Sequence, residues 1–207
     1  MPATAAQPST AKTTTLPLAV GRQPKTLAWD TFRQRFLFRE DGYKYEWVSG
    51  TVVKTKRSMD KSQLYILLNL QIFFRQLQQS GKAEGELISE PDLFFLANHR
   101  RPDIAWLTTE QIYALADPKA YEVPAFLIEV ISSSDQINAM KLKMINYRDA
   151  GVQVVWQIFP EHQQVDVYAG PNLRQMTVCT GDDLCAAAPA LPNFALPVKA
   201  IFYKPKK

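Results

Sequence analysis

Two carboxylates in this sequence sit where a carboxylate is costly to keep. Glu129 lies in "PAFLIEVISSSD", residues 124–135, where five of the six residues from Phe126 to Ile131 are Phe, Leu, Ile or Val. An ionised acid inside an apolar strand must neutralise, find a cation, or stand at a strand end where a site opens. The apolar run stops two residues after Glu129, which fits the third case. Asp103 lies in "RRPDIAWL", residues 100–107, directly after Pro102. Proline brings no N–H and suits a strand start or an edge, so Asp103 stands at the mouth of the strand that follows. Two acids at neighbouring strand ends repel each other without a cation. Mg²⁺ suits such a pair, because it takes hard oxygen ligands and needs only one or two carboxylates. A metal held this way activates water and neutralises phosphate charge. The plainer alternatives are an ion pair to Arg100 or Arg101, or a protonated Glu129 in a structural hydrogen bond.

The elements that must position these acids are readable from periodicity. "LAWDTFRQRF" reads as a short helix with Asp30 as a cap, and "YKYEWVSGTVVKT" as a hairpin turning at Ser49-Gly50. "MDKSQLYILLNLQIFFRQLQQSG" is the clearest helix, with Leu64, Leu67, Leu68, Phe74 and Leu77 toward the core and Gly81 as the stop. Short strands follow in "GELISE", "DLFFL" and "RPDIAWL", then a small helix capped by Thr108 or Thr109. "AFLIEVI" is apolar at nearly every position, as in a strand covered on both faces. A helix from Gln136 to Ala150, capped within "SSSD" and ended by Gly151, leads to "VQVVWQIF". That strand–helix–strand order predicts a parallel pair. "QVDVYAG", "QMTVCTG" and "AIFYK" read as antiparallel additions. The fold class is α/β, a mixed sheet with helices on its faces.

The chain has 207 residues, 46% of them hydrophobic, enough for one domain with a real core. Residues 1–26, rich in Ala, Thr, Ser and Pro, read as a disordered tail, and residues 27–207 as a single domain. No apolar stretch is long enough to span a bilayer. Cys179 and Cys185 show no metal-ligand spacing, which argues against a zinc site or a disulfide scaffold and fits a reducing cytoplasm. The formal charge of +4 leans toward a polyanionic partner. Basic residues cluster in "KTKR" at 54–57, "HRR" at 99–101 and "KPKK" at the C-terminus. Solvated charge on loops is the bland reading of all three.

Taken in order, "YEWVSGTVV", "RRPDIAWL", "PAFLIEVISSSD", "KMINYRDAGVQVVWQI" and "LPNFALPVKAIF" make the sequence similar to the Uma2 family of endonucleases (domain of unknown function 820). That family is abundant in cyanobacteria and is built on the PD-(D/E)XK nuclease fold. The resemblance covers Leu27 to Tyr203 and implies a metal-dependent endonuclease that hydrolyses DNA. It makes Asp103 and Glu129 metal ligands and matches Glu46, in "YEWVSG", to an N-terminal glutamate that completes the acidic shell directly or through water. Mg²⁺ is the implied cofactor, with Mn²⁺ able to replace it.

The usual Glu-x-Lys lysine is missing, since position 131 is Ile. The family commonly takes this lysine from the following helix, and the match here is Lys143. On a helical wheel Ile137, Met140, Met144 and Tyr147 mark the buried stripe, with Lys143 and Lys141 on opposite borders. The wheel leaves either border free to face the site; the family match selects Lys143. The lysine would stabilise charge on the scissile phosphate or orient the attacking water. Tyr147, one turn on, could hold that ammonium or simply pack in the core. Arg100 and Arg101 are the expected phosphate contacts. Lys61 falls where the family often has a histidine, and Ser132–Ser134 replaces its Ser-Pro. The rival functions are an inactive DNA-binding module of the same fold and a metal-dependent hydrolase of another phosphoester. A homodimer is expected, because nuclease-fold proteins that cut duplexes often pair.

Overall fold

The computed structural model describes residues 26–56, 61–117, 120–132 and 137–205. The tail expected over residues 1–26 lies outside them except for Thr26, as do Ser133–Asp135 of the proposed helix cap and the side chain of Lys61.

A helical turn, α1 (Trp29–Phe32), continues as a π-helical turn over Arg33–Leu37. Asp30 falls in the first turn; the cap position is Ala28, which makes no side-chain capping bond. The hairpin β1 (Tyr43–Val48) and β2 (Thr51–Lys56) follows. Ser49 and Gly50 both have positive φ, +47° and +83°, the backbone that a tight two-residue hairpin requires. The long helix α2 (Lys61–Gln79) leads into β3 (Glu86–Ser89), β4 (Leu93–Phe95), β5 (Asn98–Arg100) and β6 (Ile104–Leu107). Then come α3 (Thr109–Ala114), β7 (Phe126–Val130), α4 (Ile137–Ala150) and β8 (Val154–Phe159). The chain ends with β9 (Gln164–Ala169), β10 (Gln175–Thr180), β11 (Leu184–Ala186), β12 (Ala195–Pro197) and α5 (Val198–Ile201).

The main sheet has the order β10-β9-β8-β7-β6-β3, and a second sheet the order β2-β1-β5-β4. The strands β7 and β8 are parallel, as the intervening α4 dictates; every other neighbouring pair is antiparallel. The main sheet is covered on both faces. Ile128, Trp156 and Phe126 pack with Ile66, Leu70 and Phe74 of α2, while Leu127 and Val155 pack with Tyr147 of α4. This alternation along β7 is why its sequence is apolar throughout.

Several local readings need correction. On α2 the buried stripe is Ile66, Leu70, Phe74 and Leu77, whereas Leu64 and Leu68 are about half exposed. Ile137, expected in the stripe of α4, faces outward at 73% exposure. "AIFYK" is not a strand: α5 sets Val198 and Ile201, three residues apart, into the core. The "HRR" segment is not a solvated loop either. Asn98, His99 and Arg100 form β5, an interior strand whose three residues are all buried. The small helix α3 is capped by Thr108, whose hydroxyl accepts from Gln111 N–H while the Gln111 side chain accepts from Thr108 N–H. Both cysteines are free thiols and buried. No helix among the described residues is long and apolar enough to cross a membrane.

Candidate active site

The site forms where the second sheet meets the main sheet under α4. Strand alternation on β1 sends Tyr45 and Trp47 into an aromatic cluster with Phe32, which leaves Lys44 and Glu46 together on the opposite face. Both are buried, at 8% and 2% exposure. From β5, in the same sheet, comes Arg100. The chain then crosses into the main sheet through Arg101-Pro102-Asp103, and Asp103 stands immediately before β6. Glu129 comes from the end of β7, fully enclosed between strands and helix. From α4 descend Lys143, Asn146 and Tyr147.

These side chains are tightly interlocked. Lys143 Nζ donates to both carboxylate oxygens of Glu129, at 3.0 Å each, and lies 3.8 Å from Glu46 Oε1. Tyr147 donates its hydroxyl hydrogen to Glu129 Oε1 at 2.5 Å. Arg100 Nη1 donates to Glu46 Oε2 at 3.0 Å, and the backbone N–H of Arg101 donates to Glu46 Oε1 at 2.9 Å. The Arg100 Nε and Nη2 groups both donate to Asn146 Oδ1. Asp103 accepts from the backbone N–H of Val130 at Oδ2, 2.7 Å, and from Lys44 Nζ at Oδ1, 3.1 Å. Three acids, Glu46, Asp103 and Glu129, thus face three bases, Lys44, Arg100 and Lys143.

The electrostatics follow from burial and neighbours. Burial alone would raise the Glu46 carboxyl, but the charges of Lys143, Arg100 and Lys44 outweigh it and bring the pKa down to about 2. Glu129 goes the other way. Burial pushes its carboxyl above the ordinary range, and the nearby Asp103 charge adds to this, against the pull of Lys143. Burial would lower the Lys143 ammonium, yet Glu129, Glu46 and Asp103 together raise it, so it stays charged. The enclosed Tyr147 hydroxyl, next to Glu129, is held well above its usual value and remains protonated.

Of the residues expected at the site, Glu46, Asp103, Glu129, Lys143 and Tyr147 come together. Arg100 joins them from an unexpected side. It was read as an outward phosphate contact, but it is 2% exposed and its guanidinium is committed to Glu46 and Asn146. The reason is charge balance: a buried Glu46 needs a partner, and β5 runs beside β1. Arg101 lies at the rim, with its guanidinium paired to both oxygens of Asp92. On the other border of α4, Lys141 lines a groove of about 520 Å³ with Met144, Ile145, Phe159 and Tyr168. Sequence reasoning missed Lys44 and Asn146. Lys44 stands two residues before Glu46 on a strand, and that spacing was the available signal.

The donor set bears on whether a metal ion fits. Among the described residues, no three of His, Cys, Asp and Glu come close enough to hold an ion together. Glu46 is held by Arg100 and by the backbone N–H of Arg101. Asp103 and Glu129 do form a pair, close enough for the charge of one to raise the pKa of the other. Two hard carboxylates suit Mg²⁺ or Mn²⁺, which keep most of their ligands as water. The donor chemistry of the pair suits such an ion, which would have to displace the ammonium groups that now occupy these oxygens.

Comparisons with known proteins identify the family and the fold. The model of the Uma2 family, described as "Putative restriction endonuclease", matches residues 29–199, most of the chain. The chain belongs to the Uma2 family. Among solved structures, the fold is similar to a "putative nuclease belonging to DUF820" from Anabaena variabilis ATCC 29413, with a TM-score of 0.68 at 19% identity. The match covers 86% of this chain and 98% of that one. No curated protein matches. Uma2 membership makes this a nuclease-type chain, of a class that works with divalent metal ions on nucleic acid.

Proposed function

We propose that this Uma2 protein is a metal-dependent endonuclease that hydrolyses DNA phosphodiester bonds. The observation that carries the reading is the pairing of Asp103 with Glu129 at the ends of β6 and β7, with the Lys143 ammonium on Glu129 at 3.0 Å. Asp103 and Glu129 would hold Mg²⁺ or Mn²⁺, with Glu46 acting through water. When bound, such an ion supplies Lewis acidity and an activated water.

The chain's own residues supply the rest. Lys143 offsets part of the cost of burying a charge on Glu129 and places a positive charge where a phosphate oxygen would gain negative charge. The Tyr147 hydroxyl fixes the rotamer of Glu129. Arg100 and Asn146 hold Glu46 in place, and so act as positioning residues. Arg101 at the rim contacts the DNA backbone once it leaves Asp92, and Lys141 contributes from the far border of α4. The residues from 27 to 207 work as one domain in the cytoplasm, a reading supported by two free thiols. Two copies associate; the exposed Met176 and Val178 on the edge strand β10 support such pairing.

One observation favours a second reading, an inactive DNA-binding module. The three acids are already neutralised by three side-chain cations, so the site holds together without a metal. Plasmid nicking with Mg²⁺ or Mn²⁺ separates the two. Cleavage by the wild type that is lost in Asp103→Asn and Glu129→Gln supports the nuclease. Equal trace activity in all three proteins marks a contaminant and overturns it. Salt-sensitive DNA binding without cleavage favours the module, and no binding at low salt points to another phosphoester.

A further inference from the structure

Lys44 is the one ammonium at the site that no part of the nuclease reading uses. A buried lysine usually carries its charge outward along an apolar stem. Here the ammonium turns inward and ends on Asp103, 3.1 Å from Oδ1, although the two residues are 59 apart in sequence. The choice of oxygen matters. Asp103 Oδ2 already accepts the backbone N–H of Val130 at 2.7 Å, a bond built into the main sheet. Oδ1 is the oxygen left to bind an ion, and Lys44 occupies it. Side-chain exposure is 10% for Lys44 and 22% for Asp103, so water screens this contact only partly.

We infer that Lys44 is the resident counter-ion of Asp103, which a divalent metal must displace from Oδ1 in order to bind. This inference rests on the metal-dependent reading above and adds to it a device that sets metal affinity. In the metal-free protein, Lys44 neutralises an acid that would otherwise face Glu129 unpaired. When a dication enters, the ammonium leaves Oδ1 but stays tethered to β1, close to the ion. Its charge then opposes metal binding, and it is free to meet the phosphate that the metal attracts. Lys143 differs, because it sits on Glu129 and is held there by both oxygens.

The test uses the full chain and Mn²⁺ alone, at fixed ionic strength, with free Mn²⁺ read by electron paramagnetic resonance. Lys44→Met removes the charge and keeps most of the stem; Lys44→Gln is a second neutral variant should the first fail to fold. The neutral variant should bind Mn²⁺ about tenfold or more tightly than the wild type, since one repelling charge is gone at short range. Lys44→Arg should stay within about twofold of the wild type. The neutral variant should also melt at a lower temperature without metal and gain more from Mn²⁺ than the wild type does. Unchanged or weaker Mn²⁺ binding in the neutral variant, with binding still lost in Asp103→Asn, overturns the role of Lys44 alone. If the wild type and Asp103→Asn bind equally, or neither binds at millimolar Mn²⁺, the metal-dependent reading falls with it.

Discussion

Tyr147 donates to Glu129 at 2.5 Å from one turn beyond Lys143, so a single face of α4 supplies both side-chain donors to this fully enclosed acid. The hydroxyl and the ammonium do different things. The ammonium offsets the charge of Glu129, and the hydroxyl takes a lone pair that would otherwise lack a partner in an apolar setting.

Tyr147→Phe should remove that bond and little else. The expected loss of stability is about 1–3 kcal/mol, the cost of a hydrogen bond to a charged group. The bond lowers the Glu129 pKa. Its removal should therefore move the acid limb of the nicking pH profile upward. Urea unfolding and a pH–rate series check the two effects separately.

Lys143→Met strands Glu129 without its counter-charge in a buried site. The expected destabilisation is about 3–5 kcal/mol. The double variant Lys143→Met/Glu129→Gln should recover a large part of it, because no charge is then left alone. A double-mutant cycle in urea measures this coupling, and strictly additive losses would contradict it.

Glu46 predicts a pH window. Its folded pKa is lowered to about 2 from an ordinary 4.5. A depressed acid contributes stability that is fully present above its unfolded pKa and is lost as pH falls through the folded one. The loss therefore falls between pH 4.5 and about 2, and is worth roughly 3 kcal/mol. Glu129 has the opposite sign: its carboxyl is raised above 4.5, so its protonation adds stability as pH falls toward 4.5, before the Glu46 loss begins. Unfolding free energies measured at several pH values in this range should drop for the wild type and flatten for Glu46→Gln.

Arg101 and Arg100 should separate in DNA binding. Replacing Arg101 by Ala removes one rim charge and should reduce the log–log salt slope of affinity by about one, with little effect on stability. Arg100→Met should leave the slope unchanged while lowering the melting temperature, because its guanidinium serves Glu46. Fluorescence anisotropy with a salt titration reads the first effect and a thermal melt the second.

The two central acids were legible because each breaks a local pattern: Glu129 interrupts an apolar run and Asp103 follows a proline at a strand mouth. The helix α4 was also legible, but its wheel left Lys143 and Lys141 both free to face the site, and only the family resemblance selected Lys143. The strand β5 was not. Asn98, His99 and Arg100 look like loop residues, and their burial depends on partners distant in sequence. Arg100 answers to Glu46 and Asn146, 54 and 46 residues away, and His99 to Asp92 beneath the rings of Trp29 and Phe32. Local periodicity carries no trace of such bonds. Lys44 left a weaker trace: its spacing of two from Glu46 puts both on one strand face, but its partner Asp103 is 59 residues away. The final segment misled because "AIFYK" carries large apolar residues that suit a strand, whereas the core contacts start at Val198 and follow a helical spacing of three to Ile201.

The passage from the second sheet to the main one through Arg101-Pro102-Asp103 bears on how the protein comes together. A chain in which β6 and β7 have paired but the hairpin of β1 and β2 has not docked would hold Asp103 and Glu129 side by side while Lys44 is still absent. Repulsion between those acids would then oppose the half-assembled state until the hairpin arrived. The candidate site is therefore complete only when both sheets are in place, since Lys44 reaches Asp103 from one sheet while Glu129 belongs to the other.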